Sequence, residues 1–241
     1  MGRGVLGWGL LWLAVGVSAD PVRMGFGTHK PPYIFENEHR GLEYDIVDAA
    51  FRSAGYTIEA HYLPMERLHL MLKRGELDGI ATTNRFSQLD VAYSDVYIQY
   101  HNVAAALASR KYDIHSIADL GRYSVSAFQR ARYLLGPEFQ SMAESNPRYR
   151  EEALQIARNR LLYSGRIDVV VGDLRILNYF NREVADQVDV TQPLTLYQLF
   201  PPTPYHVGFR TASMRDKFNR GLATIRSNGT YQAIERRYEA Y

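Results

Sequence analysis

The chain of 241 residues contains no cysteine. That excludes thiol catalysis, cysteine-ligated zinc, disulfide bridges and a diacylglyceryl lipoprotein anchor. It also lacks a charge excess: 28 Lys and Arg against 26 Asp and Glu leave a formal +2, with no basic stripe and no low-complexity tract. Neither a nucleic-acid partner nor extended disorder is expected from such a balance. The seven histidines form no HExxH-type pair, so no metal site is expected, and no cofactor motif is read. No apolar run reaches the ~20 residues that span a bilayer, so no membrane insertion is expected. With 46% hydrophobic side chains the chain can bury a large core, as one domain or two small ones.

What is present begins with an address label. Met1-Gly-Arg is a short positive start, Val5 to Val17 an apolar run, and Val17-Ser18-Ala19 a small-residue ending before Asp20. This is the three-part pattern of a signal peptide cleaved near Ala19, and it predicts an exported chain that is not a lipoprotein.

From Asp20 onward, strand and helix patterns alternate. Val22 to Gly27 reads as a strand, followed by a proline-interrupted loop carrying Tyr33 and Phe35. Helical spacing over Tyr44 to Ala54 and Glu66 to Arg74 brackets strands near Tyr56 to Leu63 and Leu77 to Thr83. This order predicts α/β architecture with parallel pairing. A second cycle follows: strands at Tyr123 to Ala127 and Ile167 to Val171, a helix from near Gln129 stopping at Gly136-Pro137, and helices at Glu151 to Tyr163 and Leu174 to Glu183. Pro201, Pro202 and Pro204 read as chain breakers before a last strand and two closing helices.

Four segments carry a resemblance. Gly41-Leu-Glu-Tyr-Asp-Ile-Val-Asp, Leu72-Lys-Arg-Gly-Glu-Leu-Asp-Gly-Ile with Tyr93-Ser-Asp-Val-Tyr, Ser164-Gly-Arg-Ile-Asp-Val-Val-Val-Gly-Asp, and Val207-Gly-Phe-Arg with the Asn228-Gly-Thr ending occur in this order. Together they resemble the amino-acid-type periplasmic solute-binding proteins of ABC importers (bacterial extracellular solute-binding protein family 3), of which the chain looks like a divergent member. The resemblance implies a type II periplasmic-binding-protein clamshell: a signal peptide over 1–19, a discontinuous lobe 1 from 20–100 plus 204–241, and lobe 2 from 101–203, hinged on two crossing segments. It further implies a monomeric receptor that traps an amino acid or similar small carboxylate-bearing solute, zwitterionic or anionic, and delivers it to an ABC permease. Two other readings stay open on the same scaffold: a cyclohexadienyl dehydratase-like enzyme, and a sensor signalling to a membrane partner.

Ligands of open α/β sheets sit beyond the carboxyl ends of the strands. That rule selects Tyr33, the turn at Met65 to Arg67, the turn Thr82-Thr83-Asn84-Arg85, the turn Phe128-Gln129-Arg130, and Asp173. Asp173, five residues after Asp168, matches the family acid that receives a ligand ammonium; its alternative is a helix N-cap. The usual T-x-T-x-E-R carboxylate clamp is displaced here, leaving Arg85, Arg67 (in Pro64-Met-Glu-Arg67, similar to a P-W-x-R segment) and Arg130 as competing cations.

Overall fold

The computed structural model describes residues 20–36 and 38–241. The signal-peptide reading of residues 1–19 lies outside them.

The first sheet begins as a βαβαβ unit: β1 (Val22–Phe26), α1 (Leu42–Ser53), β2 (Ile58–Tyr62), α2 (Met65–Arg74) and β3 (Gly79–Thr83). β1 runs parallel to β2, Val22 facing Ile58 and Phe26 facing Tyr62, and parallel to β3 on its other side. Every apolar residue of the α1 stripe Leu42, Ile46, Val47, Ala50 and Phe51 is buried, which is the spacing of one helix face turned onto a sheet. β4 (Ala92–Tyr93) and β5 (Ile98–Tyr100) follow, and the chain crosses at His101 into the second sheet.

That sheet holds β6 (Asn102–Leu107), β7 (Val125–Phe128), β8 (Tyr149–Glu152), β9 (Val169–Asp173) and β10 (Leu194–Tyr197), in the order β10-β6-β9-β7-β8. Its connections are helical: α3 (Ala131–Leu134), α4 (Pro137–Ser145), α5 (Gln155–Tyr163) and α6 (Leu174–Glu183). β6 is buried along its whole length because both of its faces are covered. Ala104 and Ala106 pack with Leu120 and Phe139 on one side, and Val103, Ala105 and Leu107 with Leu162 and Leu177 on the other. The alternation is the two-residue period of a strand.

The chain returns through β11 (Thr203–Phe209) to the first sheet, then adds α7 (Ala212–Ser227) and α8 (Thr230–Arg237). α7 crosses α1 at Gly221, where an added Cβ would fall 1.8 Å from the Ala50 carbonyl oxygen. Only a residue without a side chain lets the helices approach so closely. The two crossings lie side by side: Thr203 pairs with Tyr100, and Asn102 Nδ2 donates to Thr203 Oγ1 at 2.9 Å.

Several sequence-based expectations are corrected. The sheets are mixed, not parallel throughout, because β11 and β6 enter from the other lobe and must run antiparallel to β3 and β9. The helix expected to stop at Gly136-Pro137 does stop there, α3 closing at Leu134; not foreseen is that Pro137 opens a new helix, α4, its missing N–H being unneeded in a first turn. The segment expected to be helical from Glu151 starts as β8, and α5 begins only at Gln155. The Glu151 carboxylate accepts from the Arg130 and Arg132 amides and the Tyr149 hydroxyl, which rewards the extended form over the helix. Pro204 lies inside β11, opposite Gln99, instead of breaking the chain before it.

Candidate functional site

Between the two sheets lies a small cavity of about 50 Å³. Its walls come from chain at or just past strand carboxyl ends: Thr28 and Lys30 after β1, Met65 after β2, Thr82 at the end of β3, Phe128 at the end of β7 with Gln129 after it, and Asp173 at the end of β9. α5 contributes Gln155 and Arg158, and the crossings contribute Tyr100, Asn102 and Tyr205.

On the first-lobe side the charge is organised by Glu43, 0% exposed in the first turn of α1. Lys30 Nζ lies 2.6 Å from its Oε2 and donates to Thr82 Oγ1 at 2.6 Å. The Tyr100 hydroxyl donates to Oε2 at 3.1 Å, and the Thr82 and Tyr97 hydroxyls donate to Oε1. Burial, and then the Glu43 charge, push both phenols well above their ordinary range, so they stay neutral donors. A buried carboxylate is tolerated only with this kind of complete pairing.

On the second-lobe side two groups matter. Asp173, 2% exposed, N-caps α6: Oδ1 accepts from the Arg175 and Ile176 amides at 2.9 and 3.2 Å. Oδ2 accepts from the His101 amide at 2.8 Å and the Tyr33 hydroxyl at 3.1 Å. Burial raises its carboxyl above the usual aspartate range, and these four donors oppose the rise. Arg158, 4% exposed, donates from Nη1 to the Val171 carbonyl and from Nη2 to Gln155 Oε1. Its Nε has no hydrogen-bond partner among the described residues. Burial lowers its pKa to about 10, which still leaves the guanidinium charged at neutral pH. A Cβ on Gly172 would sit 2.2 Å from Nη1, so glycine in β9 makes room for this cation.

The structure sorts the residues selected from sequence. Met65, Thr82, Phe128, Gln129 and Asp173 line the cavity. Tyr33 lies behind it, stacked on Tyr100 with ring centroids 3.9 Å apart. Thr83 is buried in β3. Asn84 caps the short 3-10 turn Arg85–Ser87 and its Nδ2 donates across the lobes to the Leu134 carbonyl at 2.9 Å. None of the three candidate arginines lines the cavity. Arg85 is exposed on a separate groove with Phe86, Pro201 and Pro202, 5.8 Å from the Tyr93 ring, and Arg67 is exposed on α2.

Arg130 is an interlobe clasp. Nη1 donates to Glu66 Oε1 at 2.9 Å and Nη2 to the Ser87 carbonyl at 2.8 Å. Glu66 is 57% exposed, so the ion pair is screened and the buried bond to Ser87 carries most of the effect. Arg130→Ala is expected to shift the open–closed balance about tenfold toward open, the value of one bond from a charged donor. Distances between spin labels on the two lobes check it; an unchanged distribution would remove the clasp.

Beside that clasp lies His69 of α2, buried, its Nε2 without a partner among the described residues. Burial first, and then the Arg130 charge, lower its pKa to about 3 from 6.5. The unfolded chain therefore takes up this proton near pH 6.5 while the folded chain refuses it until about pH 3. The neutral His69 contributes stability present above pH 6.5 and lost as the pH falls toward 3. In His69→Gln that part of the slope is expected to vanish; urea midpoints at about pH 4.5 and about pH 7.5 measure it.

Lys30, Glu43, Asn102 and Arg158 were not selected as binding residues from sequence, although Glu43 entered there as a family motif position. A lysine between a strand end and two prolines was a usable signal; an arginine on an otherwise ordinary helix was not.

Comparison with known proteins agrees with this architecture. The chain is 26% identical over 216 residues to the membrane-bound lytic murein transglycosylase F of Desulfosudis oleivorans, covering 86% of this chain but only 45% of that protein. It thus spans less than half of that relative. It is 24% identical over 217 residues to the arginine-binding periplasmic protein of Mannheimia haemolytica, covering 85% of each. Among solved structures, an ancestral arginine-binding protein bound to arginine superposes with a TM-score of 0.75 at 19% identity, over 92% of this chain and 99% of that one. Residues 22–240 match the sequence profile of the bacterial extracellular solute-binding proteins, family 3, and the chain belongs to that family.

Proposed function

We propose that this protein is a periplasmic receptor that closes two lobes around a small carboxylate-bearing solute and delivers it to an ABC permease. The observation that carries the reading is a cavity walled by both sheets with two buried cations, Lys30 and Arg158, one from each side. A solute touching both walls gains contacts only when the lobes are together, and that differential drives closure. The strand membership of the two sheets supports lobe boundaries at 20–100 plus 204–241 and 101–203. The signal-peptide pattern of 1–19 supports export.

Binding is favoured over turnover by the state of the two buried carboxylates. Glu43 and Asp173 each already accept from four groups, which suits them to hold structure more than to move protons.

A thermal-shift panel of small amino, hydroxy and oxo acids tests the receptor. A true solute at about 100 times its Kd is expected to add about 2.7 kcal/mol. A panel in which nothing raises the melting temperature ends the reading. Delivery is tested separately by deleting the gene and following uptake of the solute; unchanged uptake would leave a binder without a transport role.

A further inference from the structure

Resting on the receptor reading above, we propose that the solute is an amine-free α-hydroxy acid with an apolar body, its carboxylate held by Arg158 and Lys30 and its hydroxyl by Asn102. Two residues of the cavity lining each carry a buried side-chain atom with no hydrogen-bond partner among the described residues: Arg158 Nε, a donor, and Asn102 Oδ1, an acceptor. Such atoms are costly unless something pairs with them, so their chemistry describes the ligand that would. The ligand must supply an acceptor to a cation and a donor to a neutral amide oxygen. A carboxylate bearing a hydroxyl does both.

Lys30 adds to the anionic preference. Its ammonium has three donors, of which Glu43 and Thr82 take two. The third remains for a solute.

An amino acid fits the same walls poorly. Its ammonium brings three donors and a charge, whereas Asn102 Oδ1, the fully buried side-chain acceptor without a partner in the lining among the described residues, is uncharged. The acid that would ordinarily answer it, Asp173, has both oxygens committed to the α6 cap, the His101 amide and the Tyr33 hydroxyl. Drawing Asp173 onto an ammonium would strand buried donors in exchange. The remaining walls, Met65, Phe128, Leu134 and Ile176, are apolar and suit a hydrocarbon body.

The test is calorimetry on the full mature protein with matched pairs: lactate and alanine, malate and aspartate, leucic acid and leucine, phenyllactate and phenylalanine. In at least one pair the hydroxy acid is expected to bind about tenfold or more tighter than its amino partner. An amino acid that binds as tightly as its hydroxy partner, or tighter, overturns the inference and leaves the receptor reading intact. If no member of any pair binds, the inference falls, and the wider thermal-shift panel decides the receptor reading. A second arm uses Asn102→Asp, which places a charged acceptor at the orphan position and keeps a partner for Thr203. The preference within the binding pair is expected to move about tenfold toward the amine; an unmoved ratio in this folded variant also overturns the assignment. Should the variant not fold, the ratio measured on the unaltered protein decides alone.

Discussion

Glu43→Ala is expected to lower folding stability by about 3–5 kcal/mol, the range for breaking a buried ion pair by removing one partner. The cost is set less by the lost bonds than by what stays behind. Lys30 would remain buried with its charge uncompensated, and the Thr82, Tyr97 and Tyr100 hydroxyls would each lose their acceptor. Urea titration gives the number, with a midpoint shift at unchanged slope. Because the pair acts as a unit, Lys30→Met should cost clearly less in the Glu43→Ala background than in the natural chain. Additive losses would show that the two side chains stabilise the fold independently. A loss under about 1 kcal/mol for Glu43→Ala would mean that water reaches the cluster and replaces the carboxylate.

Asp173→Ala is the second large effect, expected at about 3–7 kcal/mol. About 1 kcal/mol of it is the α6 cap, where both first-turn amides lose their acceptor. The remainder is the desolvation cost of the buried Tyr33 hydroxyl and the His101 amide, at about 1–3 kcal/mol for each group left unpaired. His101 is the residue between β5 and β6, so the damage falls on a crossing between the lobes. Asp173→Asn keeps an acceptor oxygen at the cap and should recover part of the loss. Equal losses for both substitutions would place the whole effect in the second oxygen. Of the two roles the sequence leaves open for Asp173, ammonium acceptor and helix N-cap, its four internal partners put the structural cost of Asp173→Ala first.

Much of the architecture was legible before any coordinates. Leu174 to Glu183 was read as a helix with the bounds α6 has, because Asp173 caps it and its apolar residues follow helical spacing. The strands near Val22, Leu77 and Ile167, the two closing helices and the α/β class followed from periodicity in the same way. The failures share one cause. Tyr149 to Glu152 is extended because β7 pairs with it and because Arg130 and Arg132 lend their amides to Glu151. Neither partner is visible in a local window.

The candidate site divides along the same line. The strand-end rule found Met65, Thr82, Phe128, Gln129 and Asp173, since the direction of a strand follows from its neighbours in sequence. It did not separate the arginines. Arg130 leaves its turn with a left-handed backbone, φ 68°, and its side chain reaches Ser87 and Glu66 instead of the cavity.

From the amino-acid order alone came the element succession and the chain's family likeness, because these depend on short-range pattern and on motif order. Which cation faces inward, which acid is already spent on a helix cap, and where two orphaned polar atoms meet were decided by tertiary packing. Those outcomes depend on partners far away in sequence: Lys30 with Glu43 from the next helix, Tyr33 with Asp173 from the other lobe, Arg158 over Gly172. Hydrogen bonds act over about 3 Å, and no reading along one dimension measures that distance.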